Sequence, residues 1–69
     1  MMKQKEVAKQ FRVSESLISQ LIKKQRFTRN HLLAVAIAQN EGTKPIQYIN
    51  PKLRDIYLAA YPDMNKKVR

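Results

Sequence analysis

Hydrogen-bonding and basic side chains are concentrated between residues 14 and 29. Glu15 lies in the first turn of a predicted helix, where the helix dipole favours a negative charge. Donor side chains occupy the faces of that helix outside its apolar stripe: Ser16, Ser19, Gln20, Lys23 and Lys24. Two more cations come after them, at Arg26 and Arg29. Groups of this kind form hydrogen bonds and attract anions, so they predict binding rather than catalysis.

The charge of the whole chain favours a polyanionic partner. Its 69 residues carry 14 Lys and Arg against 5 Asp and Glu, a formal net charge of +9. Residues 1–30 hold eight basic and two acidic groups, whereas residues 31–69 hold six and three. The half that contains the polar helix is therefore the more basic one, as expected of a surface that faces nucleic acid.

Composition excludes several classes of protein. With no Cys, a single His and a single Gly, the chain has little material for a metal site, a catalytic triad or a phosphate-binding loop. We therefore expect no enzyme activity, metal, cofactor or small-molecule substrate. The longest apolar run has seven residues against the ~20 of a membrane span, and no signal-peptide core is present. Gly42 and the three prolines interrupt any long membrane-surface helix, so no membrane partner is expected.

The apolar pattern predicts an all-α fold, a small bundle of four to five helices. Helices are expected over about 2–11, 15–24, 30–41 and 51–61, with Ser14 capping the second, Thr28 or Asn30 the third and Asn50-Pro51 beginning the fourth. Gly42 suits a left-handed residue after the third. Residues 45–49 fit either a short extended segment or a helical turn. We expect a domain over residues 1–62 and a basic, flexible tail over 63–69.

The first two helices have the spacing of a helix-turn-helix. A small residue at Ala8 lets a second helix cross close above the first, and Val13 fills the corner between them. Ile18 and Leu21 would hold the second helix on the core. The steps of five residues from Ala8 to Val13 and from Val13 to Ile18 are those of a short turn and a steep crossing.

On these residues the segment 3–19 (KQKEVAKQFRVSESLIS) resembles the Cro/repressor family of phage helix-turn-helix regulators, and its short Cro-like branch in particular. Arg12 departs from the family pattern, which usually has Gly at that turn position. The turn is therefore expected to be either slightly strained or different in geometry. Little chain precedes the motif, so the later helices are expected to close the bundle.

The resemblance implies a role for each matched position. Base contacts in the major groove would come from Glu15, Ser16, Ser19 and Gln20, with Gln20 suited to adenine and Glu15 to a cytosine amino group. Phosphate contacts are implied at two positions that match the family, Gln4 and Ser14. They are also implied at four basic residues that follow the recognition helix: Lys23, Lys24, Arg26 and Arg29.

The function implied is a sequence-specific transcriptional regulator that binds a pseudo-palindromic DNA operator as a homodimer, in the cytoplasm of a bacterium or a phage-infected host. The apolar surface expected to pair two copies consists of Ile46, Tyr48, Ile49, Leu58 and Tyr61. Leu58 is the most informative of these, since it lies off the predicted inner stripe of Leu53, Ile56, Tyr57, Ala60 and Tyr61.

Other functions fit the same motif. An antitoxin or a phage excision accessory factor would also use a helix-turn-helix to bind DNA. A protein of another class, an interaction module that does not bind specific DNA, would keep the bundle but lose the readout. The net charge and the polar face of the second helix argue against that module.

Overall fold

The chain folds into helices joined by short turns in a computed structural model that describes residues 4–68. Four α-helices occur: α1 (Gln4–Phe11), α2 (Glu15–Ile22), α3 (His31–Glu41) and α4 (Arg54–Ala60). Three 3₁₀ turns complete the described chain, at Pro45–Tyr48, Pro51–Leu53 and Pro62–Asn65. No strand occurs over residues 4–68, and the only β feature there is one isolated parallel bridge between Thr28 and Ile49. The predicted all-α class is confirmed, and residues 45–48 form a turn.

Side-chain caps define where the helices begin. Ser14 Oγ accepts the backbone N–H of Leu17 at 3.1 Å, at the start of α2. Asn30, rather than Thr28, caps α3, and its Oδ1 accepts two N–H groups of the first turn. Asn50 Oδ1 accepts the N–H of Lys52 at 3.0 Å. Each cap satisfies backbone donors that have no partner inside a helix, so these boundaries follow from local chemistry.

Three helix ends close in the same way, with one residue in the left-handed conformation. After α3 this residue is Gly42, with φ 67°. After α1 and α2 it is Arg12 (φ 56°) and Lys24 (φ 61°). For a residue with a Cβ this conformation is unfavourable by about 1–2 kcal/mol. The Arg12 turn therefore has the geometry that glycine usually provides, at the position where the sequence departs from the family pattern.

The core is built around α3. Leu33, Ala34, Ile37 and Ala38 of this helix are buried against Val7 and Ala8 of α1 and Ile18 and Leu21 of α2. The first residue of α3, His31, is half-buried, and Leu32 is 59% exposed. The first turn of α3 therefore reaches the surface although the helix is rich in apolar residues.

The C-terminal segments complete this core. Ile46, Tyr48 and Ile49 are buried in it, and Met64 is 3% exposed. Val68 packs on the same cluster, and its N–H donates to the carbonyl of Thr43 at 3.2 Å. The core thus extends past the expected boundary at residue 62 and includes part of the segment expected to be a tail.

Helix α4 packs with a different face from the one predicted. Its half-buried positions are Arg54, Tyr57 and Leu58, and Leu53 just before the helix is half-buried too, whereas Ile56 is 65% exposed and Ala60 is exposed. Arg54 accounts for the rotation of about one position. Its Nε donates to the carbonyl of Ile49 at 3.1 Å and its Nη2 to that of Gln47 at 3.4 Å, which turns this edge of the helix inward. The placement of Ile56 on the inner stripe was wrong.

Candidate nucleic-acid interface

Helices α1 and α2 meet through the contacts that the spacing predicts. Ala8 and Ile18 are buried at the crossing, and Val13 packs against the same cluster. The N–H of Val13 donates to the carbonyl of Ala8 at 2.9 Å, which fixes the corner. Because Ile18 and Leu21 are almost completely buried, α2 is held rigidly along its inner side.

The opposite side of α2 carries the polar residues expected to contact bases. Glu15 and Ser16 are exposed, and Ser19 and Gln20 are half-buried. Their spacing of i, i+1, i+4 and i+5 puts all four on one face of the helix. The structure therefore brings together the four side chains that the sequence groups as base contacts. The opposite side of the same helix is packed on the core through Ile18 and Leu21.

Four cations follow this face in the chain and form no ion pair with the described residues. Lys23, Lys24, Arg26 and Arg29 are exposed. Over residues 4–68 the only ion pair joins Lys66 to Asp63, at 3.5 Å, far along the chain from this cluster. The helix ends at Ile22, so both lysines lie in the turn after α2, not in its last turn as expected. Their charges are available to an anionic partner.

The two remaining candidates for phosphate contact lie at helix N-termini. Gln4 is the first described residue of α1 and is exposed, and residues 2–3 of the expected helix lie outside the described residues. Ser14 is exposed as well, and its hydroxyl oxygen already accepts the N–H of Leu17, so its O–H remains free to donate. N–H groups in the first turn of α2 have no intrahelical acceptor, which adds donors at the same place.

The loop after α2 is tied to the C-terminal half of the chain. The N–H of Thr28 donates to the carbonyl of Tyr48 at 2.8 Å, and its carbonyl accepts the N–H of Asn50 at 3.0 Å. The hydroxyl of Tyr57 donates to the carbonyl of Arg29. These bonds fix the backbone that presents the cations Arg26 and Arg29.

Arg54 acts from the other side of the loop. Its guanidinium lies 5.4 Å from the ring centroid of Phe27, and the same group donates to the carbonyl of Gln47 in the 3₁₀ turn Pro45–Tyr48 and to that of Ile49 just after it. This arginine is therefore a structural residue. Its role and that of Tyr57 were missed, because both depend on residues more than four positions away.

Most residues expected at a dimer face lie inside the chain. Ile46, Tyr48 and Ile49 are between 0% and 8% exposed, so their side chains offer no surface to a second copy. Leu58 is half-buried against the core, and Tyr61 is 44% exposed. The short 3₁₀ turn directs the apolar groups of residues 46–49 under α3 instead of outward. For those three residues the structure contradicts the predicted interface.

A shallow cleft of about 390 Å³ lies beside α4. Its walls include His31, Val35, Tyr61 and Met64. The imidazole of His31 stacks on the ring of Tyr61 with centroids 4.4 Å apart, which joins the start of α3 to the end of α4. The histidine is therefore part of an aromatic contact, and no group of three or more potential metal ligands occurs within residues 4–68.

No helix in the described range 4–68 has the length and apolarity needed to cross a membrane. Comparison of the chain with protein-family models, curated proteins and solved structures gave no match.

Proposed function

We propose that this protein is a sequence-specific DNA-binding transcriptional regulator, a Cro-like repressor of phage or prophage type. The observation that carries the proposal is the outer face of α2. Four polar side chains lie on it together, the opposite face is anchored by Ile18 and Leu21, and exposed cations without ion-pair partners come directly after it. A rigid polar helix next to a basic loop matches the width and charge of the DNA major groove.

In this proposal the side chains divide into two groups. Gln20 is suited to form two hydrogen bonds with adenine, and Glu15 can accept from a cytosine amino group, with Ser16 and Ser19 compatible with several bases. The contacts that position the protein without reading sequence come from the six phosphate-binding candidates: Gln4, Ser14, Lys23, Lys24, Arg26 and Arg29.

We further propose that two copies bind one pseudo-palindromic operator. A two-fold dimer places equivalent helices about 34 Å apart, on successive turns of the major groove. The domain measures 30 × 24 × 18 Å, which is compatible with that separation for two copies side by side. The surface proposed for pairing is the outer side of α4, where Ile56 is exposed, together with Tyr61, which is exposed directly after the helix.

Ile56→Glu is the appropriate test of this dimer. Ile56 is 65% exposed, so the substitution leaves the core intact, whereas Leu58→Glu would also place a charge against the core. Sedimentation equilibrium of wild type should give a dimer, and the variant should give a folded monomer. A variant that remains dimeric would exclude this side of α4 as the interface.

The central test is selection of binding sequences from a random pool of DNA duplexes, followed by fluorescence anisotropy at two salt concentrations. We expect enrichment of a pseudo-palindrome with half-sites one helical turn apart. Gln20→Ala should weaken binding to the selected sequence by about 1–3 kcal/mol and relax preference at one base pair. Lys23→Ala should weaken binding to all sequences alike and reduce the salt dependence. Equal losses on selected and random DNA for Gln20→Ala would refute its role in readout.

A second candidate is an interaction module that does not bind specific DNA. Among residues 4–68, four large apolar side chains remain exposed, at Phe27, Leu32, Ile56 and Tyr61, and they are the observation that favours it. Binding that disappears with salt and selects no sequence would support this alternative. An antitoxin or excision factor would instead select a sequence, and genes adjacent to its own would distinguish it from a repressor. All the DNA-binding candidates would act in the cytoplasm of a bacterial cell or a phage-infected host.

A further inference from the structure

Two helix ends in the proposed interface have a basic residue at the position that favours glycine. At the end of α1, the N–H of Val13 bonds to the carbonyl of Ala8 and that of Arg12 to Lys9, with Arg12 left-handed. The end of α2 repeats the pattern: the N–H of Gln25 bonds to the carbonyl of Gln20 and that of Lys24 to Leu21, with Lys24 left-handed. Six-to-one and five-to-two bonds of this kind define the Schellman motif.

The third such end shows that glycine is available to this fold. At the end of α3 the N–H groups of Gly42 and Thr43 both bond to the carbonyl of Ala38, and the left-handed residue is glycine. That end adjoins neither end of α2 in the chain. Within residues 4–68, a residue with a Cβ therefore adopts the left-handed conformation only at Arg12 and Lys24, just before and just after α2.

The side chain of Arg12 contributes no specific contact to the fold. It is exposed, and it makes no hydrogen bond or ion pair within the described residues. Arg54 shows what a structural arginine looks like in this protein, with bonds to two carbonyls and a stacked aromatic ring. A favourable interaction with the carbonyl end of α1 is already available to Lys9, which lies in the last turn of that helix.

Arg12 also lies at the end of α2 that enters the groove in the proposed function. It precedes Ser14, the cap of α2, by two residues, so a flexible guanidinium can reach phosphates beside that helix terminus. Lys24 lies just past the other end. The two cations thus bracket an eight-residue helix, about 12 Å long.

We propose that Arg12 is a further phosphate-binding residue, which binds the DNA backbone at the N-terminal end of α2 while Lys24 binds it at the C-terminal end. The guanidinium offers paired donors that match two phosphate oxygens. This inference rests on the proposed function and adds to it Arg12, at a position where the family pattern usually has glycine. A charged residue occupies left-handed position 12, where glycine would be less strained, because its charge binds a DNA phosphate.

The test separates backbone geometry from charge. Arg12→Gly favours the left-handed conformation and removes the charge, Arg12→Asn tolerates the conformation and also removes the charge, and Arg12→Lys keeps the charge. The matched control is Lys67→Asn, which removes an exposed cation near the C-terminus. Each variant is melted thermally and titrated by fluorescence anisotropy with a pool of random-sequence duplexes between about 50 and 200 mM salt, concentrations at which phosphate contacts dominate binding.

For Arg12→Gly and Arg12→Asn we expect the slope of log K against log salt to become shallower by about 0.9, the value for one phosphate contact. The melting temperature of Arg12→Gly should equal or exceed that of wild type. Arg12→Lys and Lys67→Asn should keep the wild-type slope. An unchanged slope for Arg12→Asn, or an equal decrease for Lys67→Asn, would overturn the assignment of Arg12. Absence of salt-dependent binding by wild type would instead refute the proposed function itself.

Discussion

Truncation of Met64 tests whether the segment after α4 belongs to the folded domain. The side chain is 3% exposed and forms part of the main core cluster, although the sequence places it in a tail. Met64→Ala removes Cγ, Sδ and Cε and leaves the backbone of the 3₁₀ turn Pro62–Asn65 free to form. Any loss of stability then measures how firmly this turn packs on the Pro45–Tyr48 turn and the core cluster.

The expected loss follows from the atoms removed. Three methylene-sized groups at about 0.8 kcal/mol each give about 2.4 kcal/mol. Met64 lines the cleft beside α4, so the vacated volume opens to water and the additional penalty for a sealed cavity is small. We therefore expect a loss of about 2–3 kcal/mol in the free energy of unfolding. For a domain of this length that corresponds to a decrease of about 10–20 °C in melting temperature.

Urea unfolding followed by circular dichroism provides the measurement. Asn65→Ala is the matched control, because its side chain is exposed in the same turn and its loss should change stability by less than about 0.5 kcal/mol. If Met64→Ala also remains within about 0.5 kcal/mol of wild type, the segment does not stabilise the core and the expected tail is the better description.

Three further substitutions test the contacts that hold the loop and α3. Asn30→Ala should lower stability by about 1 kcal/mol because two N–H groups lose their acceptor, and Asn30→Ser should restore most of it in urea unfolding. Arg54→Ala should lower stability by about 1–2 kcal/mol, and Arg54→Lys should recover less than half, since lysine lacks the planar fork whose Nε and Nη2 reach the two carbonyls. Lys52→Ala, at an exposed position nearby, should leave unfolding unchanged. Tyr57→Phe should lower the melting temperature by an amount equivalent to about 1 kcal/mol, and no change would mean that its bond to the Arg29 carbonyl contributes nothing net.

Signals carried by adjacent residues were readable from the sequence. Ser14, Asn30 and Asn50 cap helices because a short polar side chain reaches N–H groups two or three residues away, and Gly42 ends α3 because it is free of a Cβ. The steps of five residues through Ala8, Val13 and Ile18 likewise describe a local corner. Such features depend on the chain within one or two turns of the residue concerned.

Packing between distant segments was not readable in the same way. An apolar residue such as Ile49 has the same pattern whether it covers its own core or a second copy, so residues 46–49 were assigned outward when they lie inside. Met64 resembles tail sequence because the residues directly around it are polar, and most of the core cluster that it joins comes from earlier segments. The rotation of α4 that exposes Ile56 depends on Arg54, which bonds to carbonyls five and seven residues earlier in the chain. These are polar contacts, so the spacing of apolar residues does not reveal them.

The bonds from the loop after α2 to the C-terminal half have a consequence for the order of folding. The corner between α1 and α2 closes through bonds between near neighbours, whereas the Tyr57–Arg29 bond closes 28 residues of chain. Closing the longer loop loses more chain entropy, so we expect the helix-turn-helix to form first and the loop to be fixed last. Arg26 and Arg29 of this loop then reach their final positions relative to α2 only after the C-terminal half has packed. A bound duplex should therefore slow amide hydrogen exchange at Thr28 and Asn50, whose N–H groups bond between the loop and the C-terminal half. The exchange rates would show that binding at α2 stabilises the C-terminal half of the protein.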